Sequence, residues 1–109
     1  MKISRVSATT HRLPVKIPPL TEPINREMVF VKVETDDGLA GYGITGPQLR
    51  FSVREFINAE LGKFVSGMDP LATERIWEDS YWKFNQRSNS GVFMSALAAL
   101  DIALWDLKG

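Results

Sequence analysis

Residues 29–43 carry the pattern from which the rest of the chain is interpreted: Val29-Phe30-Val31-Lys32-Val33-Glu34-Thr35-Asp36-Asp37-Gly38-Leu39-Ala40-Gly41-Tyr42-Gly43. From Glu27 to Thr35, every second residue from Val29 onward is β-branched, which is the composition and period of a β-strand with one buried face. The triplet at 36–38 is typical of a tight turn, because glycine tolerates positive φ beside turn-forming aspartates. Residues 39–44 return as a short strand, so the stretch predicts a β-hairpin.

The chain before this hairpin predicts a third strand and a proline-rich loop. Residues 2–13 are rich in Ser, Thr, Val and Ile. In a regular strand Ile3 and Val6 would point to opposite faces, which fits either a bulge or a strand with two buried sides. Residues 14–23 contain four prolines, which remove backbone donors and exclude a helix or a central strand. We expect a loop of about a dozen residues, which is long for a compact domain and therefore suggests a function.

The chain after the hairpin predicts helices. Ser52 and Glu55 have the spacing of a capping box that opens one helix, and Asp69-Pro70 suits the start of a second. A helix from about Gly91 to Lys108 is apolar nearly all round, so we expect other parts of the protein to pack against several of its sides. The fold class is therefore α+β, a three-stranded antiparallel sheet followed by helices. Spacing in the second helix predicts core positions for its aromatic residues, Trp77, Tyr81, Trp82 and Phe84.

Length and composition exclude several classes of protein. The 109 residues suit one domain, and 13 basic residues balance 13 acidic ones, which argues against a general binder of nucleic acid or anionic membranes. With no Cys and one His, thiolate and multi-His metal sites are excluded. No apolar run approaches the roughly 20 residues of a membrane span, and the N-terminus lacks the apolar core of a signal peptide. We expect a cytoplasmic protein.

The residues themselves contain no recognisable catalytic assembly. Gly41-x-Gly43-x-x-Gly46 imitates a dinucleotide-binding loop, but its hairpin context favours close backbone packing instead. His11 has no second histidine or cysteine to work with; a pairing with a serine of the same strand stays open, and a histidine on the strand surface is favoured. Asp101 and Asp106 lie five residues apart in the apolar helix and point in different directions. We expect such an aspartate to hold a backbone amide or an arginine.

Two irregular segments beside the sheet are the best candidates for a ligand site. They are Pro14–Arg26 and Thr45–Phe51, and the competing interpretation is that both are ordinary surface loops. An apolar lid in the first is suggested by Ile17, Pro18 and Leu20. Polar contacts with a ligand are suggested by the remaining candidates: Asn25, Arg26, Thr45, Gln48 and Arg50.

Three stretches resemble one known family. The hairpin from Val31 to Gly43 resembles that of the N-terminal capping domain of the enolase superfamily, mandelate racemase/muconate lactonizing enzyme subgroup. The run Ala96-Leu97-Ala98-Ala99-Leu100-Asp101-Ile102-Ala103-Leu104-Trp105-Asp106-Leu107-Lys108-Gly109 resembles the signature helix through which that family enters its catalytic (β/α)₈ barrel. Met68-Asp69-Pro70 fits as well, and the likeness covers nearly the whole chain in order and spacing.

The resemblance implies a division of labour between two parts of a larger protein. Residues 1–90 would be the capping domain and residues 91–109 the helix leading into a barrel that this chain does not contain. In the family, three barrel carboxylates hold Mg²⁺, and a Lys or His removes the proton α to a substrate carboxylate. We therefore expect no catalytic residue, no metal ligand and no bound cofactor in these 109 residues. The expected substrate contacts come from the capping loops: Ile17, Asn25, Arg26, Thr45 and Arg50.

The polar character of these loops favours a hydroxylated acid as the substrate. An acid-sugar dehydratase is the first expectation for the parent enzyme, acting on a small carboxylic acid, and a homo-oligomer is expected. A racemase or epimerase comes next because proton abstraction is shared. The apolar run at 17–20 keeps a cycloisomerase open, and many relatives carry Glu where Ile44 stands. The alternative from another class is a stand-alone α+β binding or oligomerisation module.

Overall fold

Three antiparallel strands form one sheet in the order β1-β2-β3, and helices follow them, as the sequence predicts. The structure is a computed structural model that describes residues 1–15, 24–46, 49–84 and 91–109. Its strands are β1 (Ile3–Val15), β2 (Ile24–Thr35) and β3 (Ala40–Thr45). Its helical segments are α1 (Arg50–Phe56), a π-helical turn (Ile57–Leu61), α2 (Gly62–Val65), α3 (Thr73–Phe84) and α4 (Val92–Lys108).

The central strand and its hairpin match the prediction. Val29, Val31 and Val33 have no exposed surface, because the helices cover the face of β2 to which these odd-numbered residues point. The turn closes where the Thr35 N–H donates to the Leu39 carbonyl at 2.9 Å. Gly38 takes a φ of 89° in this turn, a conformation that glycine adopts at no steric cost. The hairpin therefore follows from period-two patterning and turn chemistry together.

The first strand contains the bulge that its parity suggests. Its pairing with β2 shifts between Ile3 and Arg5, so that Ile3, Val6 and Ala8 all reach the core in spite of their uneven spacing. An extra residue at a bulge restores the inward direction of the side chains that follow. The strand therefore turns one side to the core from Ile3 to Ala8.

The predicted loop over residues 14–26 is wrong at both of its ends. Pro14 pairs with Asn25, and Val15 pairs with Ile24, so both ends of the segment 14–26 belong to strands. Proline is accepted here because β1 lies at the edge of the sheet, where a missing ladder donor costs little. Residues 16–23, with the predicted lid, lie outside the described residues.

The predicted capping box at Ser52 is wrong. The helix begins at Arg50, and Leu49, in the left-handed conformation at φ 55°, is its N-cap without any side-chain cap. The Leu49 carbonyl accepts the Val53 N–H at 2.9 Å. Ser52 thus lies inside the first turn of the helix and is not the N-cap residue.

The π-helical turn attaches the first helical layer to β1. Asn58 lies in this turn, and its side chain pairs with both backbone groups of Ala8: the Ala8 N–H donates to Oδ1 at 2.7 Å, and Nδ2 donates to the Ala8 carbonyl at 3.0 Å. Gly62 follows, and a Cβ there would lie 3.0 Å from the Val6 carbonyl oxygen. Gly62 is therefore a point of close contact between helix and strand.

Asn58→Ala should lower the free energy of unfolding by about 1–2 kcal/mol, since a hydrogen bond contributes roughly 1 kcal/mol and two are lost. Urea titration of the 109-residue chain, followed by circular dichroism, measures it. Glu60→Ala, at an exposed position of the same turn, is the matched control and should change little. Equal loss in both variants would contradict the role assigned to the amide.

The second predicted helix starts later than its sequence signal. Asp69 caps a turn, with its Oδ1 accepting the Leu71 N–H at 3.0 Å, and α3 itself begins at Thr73. Ile76 is buried, whereas Trp77 and Trp82 are exposed, the latter by 71%. The predicted core positions of these two tryptophans are thus wrong for the described structure, because both side chains line an open groove between α3 and α4.

The last helix packs directly on β3. A Cβ on Gly43 would lie 2.9 Å from the Ala103 nitrogen and closer still to the Ala99 carbonyl oxygen, and one on Gly41 would lie 2.9 Å from the Leu107 nitrogen. The expectation of close backbone packing is confirmed for Gly41 and Gly43, but not for Gly46, where a Cβ would meet no atom within 4 Å. Seven residues of α4 are buried: Phe93, Ala96, Leu97, Ala99, Leu100, Ala103 and Leu104.

One of the two aspartates of α4 has the predicted structural role. Asp106 Oδ2 accepts the backbone N–H of Tyr42 at 2.8 Å, which ties the helix to β3 a second time. Ile102 and Trp105 stay exposed on the far side of the helix. Within the described parts of the chain, no helix combines the length and the apolar character needed to cross a membrane.

Candidate functional site

The candidate site lies at the end of the sheet where both capping segments begin. Thr45 ends β3 opposite Val29, and Arg12 faces Glu27 across the β1–β2 pair. Glu27 is two residues from the buried Val29, so it shares the helix-facing side of β2. Arg50 opens α1 within the second segment. The stems of both segments thus converge on one face of the sheet.

Glu27 joins these stems through two arginines. Arg12 Nη2 lies 2.7 Å from Glu27 Oε1, and Arg12 Nε donates to the same oxygen at 3.2 Å. Arg50 Nη2 pairs with the other carboxylate oxygen. We call these three residues the Arg12–Glu27–Arg50 cluster. The hydrogen bond from Arg12, and then the charges of Arg50 and Arg12, hold the pKa of Glu27 below its ordinary value of 4.5.

A third guanidinium extends the positive charge of this face. The guanidinium carbons of Arg50 and Arg54 lie 4.6 and 5.2 Å from the centre of the Phe51 ring, which is cation–π distance. Arg54 Nη1 also donates to the Thr10 hydroxyl at 3.4 Å. Two guanidinium groups therefore pair with the Glu27 carboxylate, and a third lies beside Phe51 at the same end of the sheet. Three guanidinium groups near one carboxylate suit an anionic ligand.

The structure brings together part of the predicted site. Thr45 and Arg50 lie at the same end of the sheet, although Arg50 is helical and not in a loop. Asn25 and Arg26 are paired in β2, again not in a loop, and their side chains lie outside the described residues, as does Ile17 entirely. Whether these five positions contact substrate stays a prediction.

Sequence reasoning missed Arg12, Glu27 and Arg54. A signal for Glu27 was present: it continues the alternation Val29-Val31-Val33 outward along the buried face, where an acid needs a partner. No comparable signal marked Arg12 or Arg54, because their roles depend on strand register and on where α1 begins.

His11 lies on the other face of the sheet. Its Nε2 is 2.8 Å from the Thr9 hydroxyl, and its ring meets Phe30 edge-on at 4.8 Å. It is a surface histidine of the strand, as favoured by the sequence. Among the described residues, no group of three or more His, Asp or Glu side chains is placed to hold a metal ion.

Glu27→Gln should make the acid sensitivity of the fold less steep. A carboxyl whose pKa is lowered in the folded state stabilises the fold above its unfolded pKa, and this stabilisation is lost as the pH falls through the folded value. The wild-type urea midpoint should therefore drop between about pH 5 and pH 3, and that of the variant should drop less. Asp36, whose pKa is lowered by the Lys2 backbone N–H, should still contribute to the pH dependence of stability in this variant. If the urea midpoints of the wild type and the variant fall in parallel as the pH is lowered, the role of Glu27 is contradicted.

The fold and this loop-bearing end define a class, the capping domain of the enolase superfamily. The racemase from Streptomyces coelicolor A3(2), solved with bound magnesium, superposes with a TM-score of 0.81 at 29% identity, over 97% of this chain and 31% of that one. The 3,6-anhydro-D-galactonate cycloisomerase from Zobellia galactanivorans gives 0.81 at 28% identity, over 99% of this chain and 28% of that one.

The family follows from the sequence match. Residues 1–109 match the model of the mandelate racemase / muconate lactonizing enzyme, N-terminal domain, and the chain belongs to that family. The D-galactonate dehydratase of Ralstonia nicotianae is 36% identical over all 109 residues, which cover 25% of that relative. The chain thus spans about a quarter of the length of the dehydratases that it matches.

Proposed function

We propose that these residues form the substrate-capping part of an enzyme that removes the proton α to a carboxylate, and that this enzyme is an acid-sugar dehydratase. The observation that carries the proposal is the match to D-galactonate dehydratases over all 109 residues. In this proposal residues 1–90 are the capping domain, and residues 91–109 are the helix that leads into a catalytic barrel. The cationic end of the sheet supports it, because an acid sugar is an anion with several hydroxyl groups.

Dehydration of an acid sugar begins at the carbon next to its carboxylate. A base takes the proton from that carbon, the hydroxyl on the neighbouring carbon leaves as water, and the resulting enol becomes a 2-keto-3-deoxy acid. The part proposed for this chain is to bind and orient the substrate and to exclude water. Arg50 would pair with the anion, and Thr45 would accept or donate a hydrogen bond to a hydroxyl group.

Magnesium belongs to the proposal for the complete enzyme only. A racemase relative was solved with bound magnesium, which supports Mg²⁺ in full-length members. Among the described residues of this chain, no group of three or more His, Asp or Glu side chains is placed to hold a metal ion. No step of the reaction is therefore assigned to a metal held by these residues.

A racemase or epimerase and a cycloisomerase are the second candidates. The two superposed structures favour them, since one is a racemase and the other a cycloisomerase. All three reactions share α-proton removal and differ in what happens to the intermediate. A stand-alone binding or oligomerisation module is the competing class, and it predicts that residues 1–109 function without a barrel.

We also propose a cytoplasmic homo-oligomer. Exposed apolar side chains such as Tyr42 and Ile44 on the open face of the sheet support a contact between copies. Light scattering of the complete polypeptide over a hundredfold concentration range measures the mass, and a monomer throughout would contradict the proposal.

The test of function uses the complete polypeptide that carries these residues, purified with Mg²⁺. Aldonic acids of different configuration, D-galactonate among them, are the substrates, and the corresponding neutral sugars are the controls. Formation of a 2-keto-3-deoxy acid supports a dehydratase. Exchange of the α-proton in D₂O without loss of water supports a racemase or epimerase, and neither product nor exchange with any acid would overturn the proposal.

A further inference from the structure

A groove of about 500 Å³ runs between α3 and α4, away from the candidate site. Its described lining combines aromatic rings with carboxylates, and no lysine or arginine is among these residues. They are Thr73, Glu74, Trp77, Glu78, Tyr81, Trp82, Asp101 and Trp105. All three tryptophans of the chain lie here, which makes the groove chemically unlike the rest of the surface.

The rings of the groove are stacked and yet accessible. Trp77 and Tyr81 lie parallel at 5.3 Å with 7° between their planes, and Trp82 meets Tyr81 edge-on at 5.9 Å. Trp105 is 52% and Trp77 38% exposed. Large aromatic residues with this much free surface are typical of binding sites, where they supply area at low entropic cost.

The charge of the groove indicates what these rings bind. Asp101 lies between the helices, hydrogen-bonded to the Trp105 side chain, and burial raises the pKa of its carboxyl. Glu74 and Glu78 add negative charge at the rim. Trp105 already attracts one cation, because the Lys108 ammonium lies 4.5 Å from the centre of its ring. Aromatic faces beside carboxylates are suited to a cation.

A second copy of this surface is a poor occupant. A two-fold contact brings the same patch of both subunits together, so the acidic side chains of one groove would lie against those of the other. These side chains are Glu74, Glu78 and Asp101. Like charges brought together in this way cost several kcal/mol in general. The occupant must instead carry positive charge.

The dehydratase relatives are about four times as long as this chain, which covers 25% of one of them. The matched family is an N-terminal domain, and α4, which forms one wall of the groove, is the last element of that match. In the relatives the remaining polypeptide is therefore attached next to this wall. It is the nearest source of a basic partner.

We propose that the groove receives an arginine side chain from the barrel of the complete polypeptide, stacked on Trp105 or Trp77 and paired with Asp101. The inference rests on the proposed capping function. Arginine fits better than lysine, because its planar guanidinium stacks on an aromatic face while donating hydrogen bonds to a carboxylate in the plane of the group. The groove would thus fix the orientation of the capping domain on the barrel.

Oxidative footprinting of the complete polypeptide, read by mass spectrometry at each residue, tests this proposal. Protection is taken relative to the same polypeptide unfolded in urea. We expect Trp105 to be protected at least fivefold more than Phe51, which is 55% exposed at the other site. Asp101→Asn should lower the protection of Trp105 at least twofold and lower the Tm, while Asp79→Asn, on the exposed side of α3 and paired with Arg75, should leave the protection unchanged.

Each other outcome overturns the proposal. Protection that Asp101→Asn does not affect would show apolar docking without a basic side chain. Protection that appears only at high protein concentration would identify a second copy, and protection that appears only with added tetramethylammonium would identify a small cationic ligand. Accessible Trp105 under all conditions would show an empty groove. If Trp105 is protected but no acid sugar reacts, the proposed function fails and the docking proposal stands. If an acid sugar reacts but Trp105 is accessible, the docking proposal fails and the proposed function stands.

Discussion

Gly43→Ala is expected to abolish stable folding of the 109-residue chain. The added Cβ would lie against the Ala99 carbonyl oxygen and 2.9 Å from the Ala103 nitrogen. Both are backbone atoms of α4, so no side-chain rotation can relieve the overlap, and the helix itself has to move away from β3. Overpacking typically costs about 1–3 kcal/mol and sometimes more, and we expect at least 3 kcal/mol here, a large part of the stability of a domain of this size. Circular dichroism during urea titration measures it.

The matched control is Gly46→Ala, just beyond the end of β3. No atom lies within 4 Å of a Cβ built on Gly46, so this variant should unfold within about 0.5 kcal/mol of the wild type. A Gly43→Ala protein as stable as Gly46→Ala would show that α4 does not lie against β3 as described.

Arg50→Ala should reduce kcat/KM of the complete enzyme for its acid substrate by about 10- to 150-fold, which corresponds to losing a charged hydrogen bond of roughly 1.5–3 kcal/mol. Arg50 is half-buried in the Arg12–Glu27–Arg50 cluster, at the first residue of α1. Steady-state kinetics with the acid identified above measure the effect. Because Arg50 also pairs with Glu27, the Tm of the variant is measured alongside.

Two controls separate binding from stability in this experiment. Arg75→Ala removes an exposed guanidinium on α3 and should leave kcat/KM unchanged. Arg50→Lys keeps the charge but loses the planar group, so it should recover only part of the activity. A loss of activity in Arg50→Ala that is matched by a lower Tm and equals that of Glu27→Gln would indicate a merely structural role.

Most of the architecture was predictable from local patterns. Alternation from Val29 to Thr35 and the turn at Gly38 predicted the hairpin, and the four- and three-residue spacing of apolar residues predicted α4. Element starts were less predictable, because Leu49 opens α1 by adopting a left-handed backbone conformation that a leucine side chain does not favour. The Ser52 and Glu55 spacing matches a capping box, but the helix begins two residues earlier, so these side chains do not form one.

The candidate site was predictable only in part, for a physical reason. Thr45 and Arg50 adjoin the ends of elements, so their proximity follows from the chain itself. The pairing of Arg12 with Glu27 depends on the register of β1 and β2, which a bulge near Ile3 displaces by one residue. Tryptophan spacing in α3 indicated burial but could not show on which side the core lies.

The contact between β3 and α4 is made by backbone: glycine Cα atoms on the strand, and carbonyl and amide groups on the helix. Its geometry therefore does not depend on which side chains the neighbouring loops carry, as long as Gly41 and Gly43 are kept. Selection, or a protein engineer, can exchange residues 16–23 and 46–49 for other sequences while the frame that holds them stays the same. Under the proposed capping function, substrate preference would be free to diverge faster than this scaffold, and grafting of these two segments would be the natural way to redesign it.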